Sequence, residues 1–329
     1  MLVVRPNGQR GPLVEYDLAR AGRRIELPSG MLSADGRTLV VARSFAGRTT
    51  VRRFDARSGA FRSTFTVRGR WALVAVSADG RRIALDAWQR RTKRTRFLVP
   101  GRGRFALSGS YDVETISRDG RTLFLVHWTK SGYTLQRYNV ATRRLQANPP
   151  REGASGTTEK MTGTAWTAIP TRDGRWLLTL YLKQDGGAFI HALDLTGGSP
   201  HCIDLPGRGR NGEFMSSSFA LGPRERTLYV ATPVLGQVVS VDVARLRVAR
   251  SVRFARFRGE QVFGIGPNAA VSPFGRTLAF TEGARVWRYD TQRQHVSRPA
   301  LASGNVSAIG FGPGNRLVGL VDGRLTTLR

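Results

Sequence analysis

The chain has little cysteine, no long apolar run and no evident secretion signal. It has one cysteine in 329 residues, Cys202, which excludes an internal disulfide and indicates a small, partly apolar packing residue. No run of 18 or more apolar residues occurs, so the sequence predicts no membrane-spanning helix. The first residues, Met1–Pro6, lack the basic-then-apolar layout of a secretion signal. We therefore expect a cytoplasmic protein, or an extracytoplasmic one if a signal or anchor precedes Met1.

Catalytic signatures are also missing. The chain contains no Gly-x-Ser-x-Gly, His-Glu-x-x-His or Cys-x-x-Cys motif. Two Gly-Arg strings, Gly101–Arg104 and Gly207–Arg210, lack the lysine and the strand-to-helix context of a phosphate-binding loop. The sequence therefore predicts no catalytic residue, no cofactor and no metal site.

Acidic residues and lysines are both scarce. The chain has 52 basic against 23 acidic residues, a formal net charge of +29, and its only lysines are Lys93, Lys130, Lys160 and Lys183. A GC-rich genome explains arginine in place of lysine but does not explain the deficit of acids. The surplus of positive charge therefore favours an anionic partner, such as nucleic acid, acidic lipid, a cell-wall polymer or an acidic protein.

Seven segments repeat one pattern, a tight turn followed by an apolar strand. In Ser33–Ala42, Asp35 can hydrogen bond its own backbone, Gly36 accepts a positive φ, and β-branched and apolar residues follow. The seven copies begin at Ser33, Ser77, Ser117, Thr171, Gly222, Ser272 and Gly312. The arginines that follow these turns are spaced 44, 40, 54, 51, 50 and 40 residues apart. Periods of about 40–50 residues with four strands per unit are typical of propeller blades.

Most repeats carry a second landmark, an apolar residue followed by Asp or Asn. The pairs are Tyr16-Asp17, Phe54-Asp55, Tyr138-Asn139, Leu193-Asp194, Val241-Asp242 and Tyr289-Asp290. Ser-x-Asp-Gly-Arg-x-Leu followed by such a strand resembles the WD40-like and YVTN-type propeller repeats of bacteria. The segment Thr227–Asp242 is similar to the YVTN repeat over its whole length. The resemblance implies a β-propeller and leaves the function open, because propellers include scaffolds, receptors and enzymes.

The predicted architecture is a single all-β domain over residues 1–329, a seven-bladed propeller of four-stranded antiparallel blades. The blades are predicted to begin near Ser29, Ala72, Asp112, Thr164, Met215, Gly264 and Asn305. Residues 1–28 are predicted to complete the last blade. Strands from both termini would then close the ring and remove its exposed edges.

The hairpin turns are predicted to collect arginines on one face of the propeller. This candidate anion-binding ring consists of Arg37, Arg81, Arg121, Arg175, Arg226, Arg276 and Arg316. The alternative is that arginine simply follows glycine in a solvated turn. Aromatic residues do not interleave with these arginines, which disfavours base stacking by a nucleic acid.

The opposite face is predicted to be aromatic and acidic, and we treat it as a candidate binding surface for a protein or a small ligand. Its members are Trp71, Trp88, Glu114, Trp128, Glu159, Trp166, Glu213 and Glu260. The alternative for the tryptophans is packing between blades. The glutamates are predicted either to pair with loop arginines or, less favourably, to share a calcium ion.

The sequence therefore predicts a monomeric, non-catalytic β-propeller that serves as an interaction or ligand-binding module. Two alternatives from other classes stay open. One is a hydrolase of lactonase type, with carboxylates at the channel mouth. The other is a protein that binds an anionic polymer through the arginine-rich face.

Overall fold

A computed structural model describes most of the chain. The described residues are 2–4, 13–18, 22–87, 94–130, 132–146, 163–210, 212–258 and 268–328. They form β-strands and three short 3-10 helices, Glu213–Ser216, Pro233–Leu235 and Pro313–Asn315. Within these ranges, no helix has the length and apolarity needed to cross a membrane. The all-β prediction is confirmed.

The described strands form eight antiparallel sheets. The first four sheets contain, in chain order, β1 (Leu2–Val4), β2 (Leu13–Asp17), β3 (Gly22–Leu27); β4 (Met31–Leu32), β5 (Thr38–Phe45), β6 (Arg48–Asp55), β7 (Phe61–Arg68); β8 (Trp71–Val76), β9 (Ile83–Ala87), β10 (Arg94–Val99), β11 (Gly103–Ser108); and β12 (Ser110–Ile116), β13 (Thr122–Thr129), β14 (Gly132–Asn139), β15 (Arg144–Leu145).

The remaining four sheets follow in the same way. They contain β16 (Thr164–Pro170), β17 (Trp176–Leu182), β18 (Ala188–Asp194), β19 (Pro200–Asp204); β20 (Ser218–Leu221), β21 (Thr227–Thr232), β22 (Gln237–Asp242), β23 (Arg247–Arg253); β24 (Ala269–Val271), β25 (Thr277–Glu282), β26 (Arg285–Asp290), β27 (His295–Val296), β28 (Ala300–Leu301); and β29 (Val306–Phe311), β30 (Leu317–Val321), β31 (Arg324–Thr327). Within each sheet, every strand pairs with the next along the chain, except that β28 returns to pair with β26.

The chain divides into two compact units. The first unit consists of Met1–Pro28, Leu182–Phe189 and Ile203–Arg329. The second unit consists of Ser29–Tyr181 and Ile190–Cys202.

Within each unit, consecutive sheets pack face to face through apolar side chains. In the second unit, Val51 of β6 packs in one cluster with Leu85 of β9, and Phe97 of β10 packs in another with Leu125 of β13. A further cluster joins Phe124 of β13 to other buried side chains of the second unit. Complete burial of such a side chain contributes about 1.5–3 kcal/mol to stability.

The first unit repeats this arrangement. Val238 of β22 shares a cluster with Phe280 of β25, and Val286 of β26 shares one with Ile309 of β29. Tyr16 of β2 packs against Leu320 of β30. In both units the core therefore consists of apolar layers between neighbouring sheets.

The terminal strands pair differently from the sequence-based expectation. The described strands β1–β3 form one three-stranded sheet and β29–β31 form another, instead of sharing a blade. Both edges of β2 are already occupied, one by β1 and the other by β3, so β2 offers no free edge to a strand from the other terminus. The two sheets meet through side-chain packing, in which Val14 and Tyr16 of β2 share a cluster with Leu320 of β30.

All seven repeated segments lie between the first and second strands of a sheet, as the sequence predicts. In the copy that begins at Ser33, the Ser33 hydroxyl donates to Oδ1 of Asp35 at 2.6 Å, and the backbone N–H of Arg37 donates to the same oxygen at 3.0 Å. The backbone N–H of Thr38 donates to the Ser33 hydroxyl at 2.9 Å. Gly36 has a φ of 68°, a conformation that favours glycine. The turn is therefore held by its own side chains.

The same network recurs in the next three copies. The hydroxyl–carboxylate bonds are Ser77 to Asp79 at 2.7 Å, Ser117 to Asp119 at 2.7 Å and Thr171 to Asp173 at 2.6 Å. The copy at Ser272 has Phe274 where these copies have Asp. Of the side-chain bonds in this network it keeps the one from the backbone N–H of Thr277 to the Ser272 hydroxyl, at 3.0 Å.

A second backbone contact joins the hairpin turn to the turn after the third strand. In each case the residue that follows the third-strand Asp or Asn donates its backbone N–H to the carbonyl oxygen of the hairpin arginine. The pairs are Ala56 to Arg37 at 2.9 Å, Val140 to Arg121 at 2.8 Å, Leu195 to Arg175 at 2.7 Å, Val243 to Arg226 at 2.9 Å and Thr291 to Arg276 at 3.0 Å. These two turns therefore lie on the same side of each of these five sheets.

Candidate functional site

The seven hairpin arginines are all exposed. Arg37, Arg81, Arg121 and Arg175 lie in the second unit, and Arg226, Arg276 and Arg316 lie in the first. Their backbones hold the turns, whereas their side chains extend into solvent. Some have weak local partners: Nε of Arg121 lies 3.8 Å from Asp119, and Arg175 lies 5.2 Å from the ring centroid of Trp176.

Trp71 and Trp128, two members of the predicted aromatic surface, have different environments. Trp71 is buried among side chains of β5–β10, its indole N–H donates to the carbonyl oxygen of Arg68 at 2.9 Å, and Arg104 lies over its ring. Trp128 is 44% exposed, and its indole N–H donates to Oδ2 of Asp112 at 2.6 Å. Trp71 is therefore a packing residue, and Trp128 remains accessible to a partner.

The structure describes only some of the remaining members of the predicted aromatic and acidic surface. Trp88, Glu159 and Glu260 lie outside the described residues. Glu213 lies in the first unit, in the 3-10 helix Glu213–Ser216, where its carboxylate accepts the backbone N–H of Arg210 at 2.7 Å. Glu213 therefore stabilises its own loop.

Glu114 and Trp166 line one cavity of about 390 Å³ in the second unit. The first strands of four consecutive sheets, β4, β8, β12 and β16, form most of its wall. The wall is mainly apolar and contains Val74, Val113 and Ala168. Small-molecule sites of about 300–1,000 Å³ are lined in this way, by apolar side chains with a few polar groups.

A β-bulge directs Glu114 away from the regular ladder. The register of β12 against β13 shifts between Val113 and Thr115, so Glu114 is the extra residue. Strand β8 has a bulge at the matching place, between Leu73 and Ala75, and its extra residue is Val74. Because bulges re-aim side chains, both extra residues reach the same cavity. Glu114 thus places a carboxyl group at the position that Val74 occupies in the preceding sheet.

The surroundings of Glu114 disfavour its ionised form. Burial raises the pKa of Glu114, and the negative charge of Asp112 raises it further. The Thr179 hydroxyl donates to Oε1 of Glu114 across 3.5 Å, a long bond that lowers the pKa only in part. Among the residues that the structure describes, no arginine or lysine forms an ion pair with Glu114.

A second carboxyl group of the same unit is also perturbed. Burial raises the pKa of Asp86 on β9 to about 6, and Asp112 again contributes. Asp86 was not among the candidates from the sequence. It lies within a short apolar strand, Ile83–Ala87, where nothing local distinguishes it from a solvated strand residue. The negative charge of Asp112 therefore raises the pKa of both carboxyl groups.

An aromatic cluster continues from this region. Trp128 and Tyr133 have ring centroids 5.2 Å apart, Tyr133 and Tyr181 stack at 5.7 Å, and Tyr181 meets His191 at 5.5 Å. Burial raises the pKa of both tyrosines, and the charge of Glu114 contributes to each. The carboxyl group of Glu114 thus lies close to a set of packed rings.

No protein-family model and no curated protein matches this sequence. Solved structures do match. The Dos1 propeller has a TM-score of 0.50 at 12% identity, over 95% of this chain and 81% of that chain. The β-propeller domain of Myceliophteria thermophila Cps50 (Swd1) has a TM-score of 0.47 at 11% identity, over 91% of this chain and 95% of that chain. Apo AztD from Citrobacter koseri has a TM-score of 0.45 at 12% identity, over 97% of each chain.

The fold class is therefore the β-propeller. The Dos1 comparison supports it on its own, and the succession of packed antiparallel sheets agrees with it. At these identities the likeness concerns the fold alone, so the function must be argued from the site.

Proposed function

We propose that this chain is a non-catalytic β-propeller that binds an apolar ligand carrying a positively charged amino group, in the cavity lined by Glu114. One observation carries the proposal. A carboxyl group without an ion-pair partner among the described residues lies on a β-bulge, in the wall of an apolar cavity of about 390 Å³. We also propose that the repeats are of the WD40-like and YVTN type, and that the protein is a monomer.

The electrostatics favour a cation over a neutral ligand. In the free protein, the Glu114 carboxylate loses hydration without gaining a cationic neighbour. An ammonium group in the cavity would supply that charge and would lower the pKa of the carboxyl group. A hydrocarbon portion would cover Val74 and Val113, and each buried CH₂ contributes about 0.8 kcal/mol.

Trp166 provides a second element of recognition. It lines the same cavity as Glu114, from β16. Aromatic faces attract ammonium groups, and tryptophan does so most strongly. A lysine side chain of a partner protein has the same chemistry as a free alkylamine, so the proposal includes both the ligand-binding and the interaction module.

Calorimetric titration with matched ligands tests the proposal. We expect hexylamine and benzylamine to bind the intact chain at pH 7.5, and hexanol and benzyl alcohol to bind less tightly. Glu114→Gln keeps the shape of the side chain and removes its charge. It should weaken amine binding about tenfold or more, as expected for a charge-assisted hydrogen bond. A lysine-containing peptide titrated in parallel distinguishes a protein partner from a free amine.

Two controls sharpen the result. Glu213→Gln removes a carboxylate of the first unit that does not line the cavity, so amine binding should be unchanged. Ala168→Leu adds apolar volume to the cavity wall and should weaken amines and alcohols alike. Equal affinity of amines for the wild type and Glu114→Gln, or no binding of any amine, would refute the proposal.

The two alternatives have less support. A lactonase-type hydrolase would need carboxylates grouped at one mouth. Within the described ranges, no group of three or more His, Cys, Asp or Glu side chains is placed to hold a metal ion. A polyanion-binding ring is favoured by the exposure of all seven hairpin arginines, but exposure alone is equally expected of solvated turns.

A further inference from the structure

A second concave site lies among the hairpin turns of the second unit. This arginine cleft has a volume of about 450 Å³. Five arginines line it, and they come from three consecutive sheets: Arg37, Arg53, Arg62, Arg81 and Arg118. Only two of the five, Arg37 and Arg81, belong to the hairpin ring that the sequence identifies.

The two acidic residues of the cleft are already engaged. Oδ1 of Asp35 accepts the Ser33 hydroxyl and the backbone N–H of Arg37. Asp79 holds the next turn in the same way, and its Oδ2 lies 3.9 Å from Nε of both Arg81 and Arg118. That separation is too long for a hydrogen bond. One carboxylate oxygen is therefore shared by two guanidinium groups and bonded to neither.

The five arginines and two aspartates that line the cleft sum to three positive charges, and the pairing of Arg62 with Asp55, which does not line the cleft, reduces this excess to two. The guanidinium groups of Arg37 and Arg81 remain largely solvated. The cleft is thus cationic and preorganised by the same turns that hold the fold.

Arg53 is the most constrained of the five. One of its terminal nitrogens donates to the carbonyl oxygen of Arg81 at 3.1 Å, and its Nε is buried without a hydrogen-bond partner among the described residues. Burial lowers the pKa of Arg53, and the nearby charge of Arg82 lowers it further. A buried donor without an acceptor is unfavourable, and an anionic oxygen that reached Nε would supply the missing acceptor.

We propose that the arginine cleft binds the phosphoryl group of a small phosphate ester or of pyrophosphate. Guanidinium groups present paired donors in a plane and bind phosphate oxygens in a bidentate manner. Donors that arrive from three sheets match an anion with three terminal oxygens better than they match a flat carboxylate. A concave site of this volume accommodates a small molecule rather than the length of a polymer.

Calorimetric titration of the intact chain with inorganic phosphate, pyrophosphate and acetate tests this proposal. The buffer should contain about 0.15 M NaCl, at which the Debye length is roughly 8 Å and distant charges are screened. We expect pyrophosphate to bind more tightly than phosphate, and acetate to give no measurable heat.

Two double variants provide a matched comparison. Arg37→Gln with Arg81→Gln removes two cleft arginines. Arg121→Gln with Arg175→Gln removes two arginines from the same turn positions outside the cleft. Both double variants lower the net charge equally. We expect the first to weaken pyrophosphate binding about tenfold or more and the second to change it less than about twofold.

Arg53→Lys supplies a third measurement. Lysine keeps the charge but lacks Nε and the planar donor pair, so pyrophosphate binding should weaken while the melting temperature of the free protein stays close to that of the wild type. Equal weakening by the two double variants would show that pyrophosphate is attracted by the overall positive charge of the hairpin arginines and not by the cleft, and it would overturn the proposal. Absence of binding by phosphate and pyrophosphate at millimolar concentration would overturn it as well. The two cavities share only Arg118 among their lining residues, and no variant used here changes it, so either proposal can fail while the other stands.

Discussion

The thiol sulfur of Cys202 lies 3.9 Å from Nδ1 of His191, and the imidazole ring is fully enclosed. The ring also meets Tyr181 edge-on, with centroids 5.5 Å apart. Burial lowers the pKa of His191 to about 4, and the charge of His201 contributes. His191 is therefore a neutral packing residue of the second unit.

The first prediction concerns acid stability. The pKa of His191 lies near 4 in the folded protein and about 6.5 in the unfolded chain, so the unfolded chain takes up the proton first as the pH falls. The stability that neutral His191 provides is complete above about pH 6.5 and is lost as the pH falls toward 4. His191→Phe removes this loss, which amounts to at most about 3 kcal/mol.

Urea unfolding at several pH values between 4 and 7.5 measures this effect. His295→Gln, a change at an exposed histidine of β27, serves as the control and should alter the pH profile of the free energy of unfolding much less than His191→Phe does. Parallel pH profiles for the wild type and His191→Phe would contradict the prediction.

The second prediction restores a missing turn carboxylate. Phe274 is 83% exposed and occupies the position that Asp holds in four other hairpins. The backbone around it already has the required form, because the N–H of Gly275 donates to the carbonyl of Ser272 at 2.8 Å. Phe274→Asp should accept the Ser272 hydroxyl and the N–H of Arg276, and should stabilise the protein by about 0.5–1 kcal/mol.

Phe274→Ala is the matched control, since it removes the exposed ring without adding an acceptor. Its free energy of unfolding should stay within about 0.5 kcal/mol of the wild type. If the two variants were equally stable, the carboxylate would have no role in this turn.

The third prediction separates backbone strain from packing between hairpins. Gly36 and Gly174 have similar φ values, 68° and 73°. A Cβ at Gly36 would meet nothing within 4 Å, whereas a Cβ at Gly174 would lie 2.4 Å from Cβ of Ala78 in a neighbouring hairpin. Gly36→Ala should therefore cost about 1–2 kcal/mol, and Gly174→Ala about 2–4 kcal/mol once the clash is added.

Thermal or denaturant unfolding of both variants checks this difference. The further change Ala78→Gly should recover part of the loss in Gly174→Ala and none of the loss in Gly36→Ala. Similar losses for Gly36→Ala and Gly174→Ala would mean that the neighbouring turns can separate without cost.

The repeated turns were predictable because their chemistry is local. Ser33, Asp35, Gly36 and Thr38 close one turn by themselves, so the pattern can be read from adjacent letters. The pairing of the terminal strands was not predictable in the same way. It depends on which strands occupy the two edges of β2, and adjacent residues do not specify that choice.

The candidate sites show the same limit of local information. Glu114 was identified from the sequence, but its β-bulge depends on the register of β12 against β13. Arg53, Arg62 and Arg118 belong to different strands and turns, and only the packing of sheets brings them to one cleft. Trp71 could not be distinguished from a surface tryptophan, because an alternating strand places large rings on either face.

The contact from Ala56 to Arg37, and its four counterparts, uses the carbonyl oxygen of the arginine and not its side chain. Every amino acid carries that carbonyl, so these contacts do not require a guanidinium group. Charge at these positions can therefore be edited independently of the fold. A series of proteins with the same turns and stepwise lower net charge should be attainable by side-chain exchange alone. Such a series would allow the net charge of the protein to be varied while its fold stays the same.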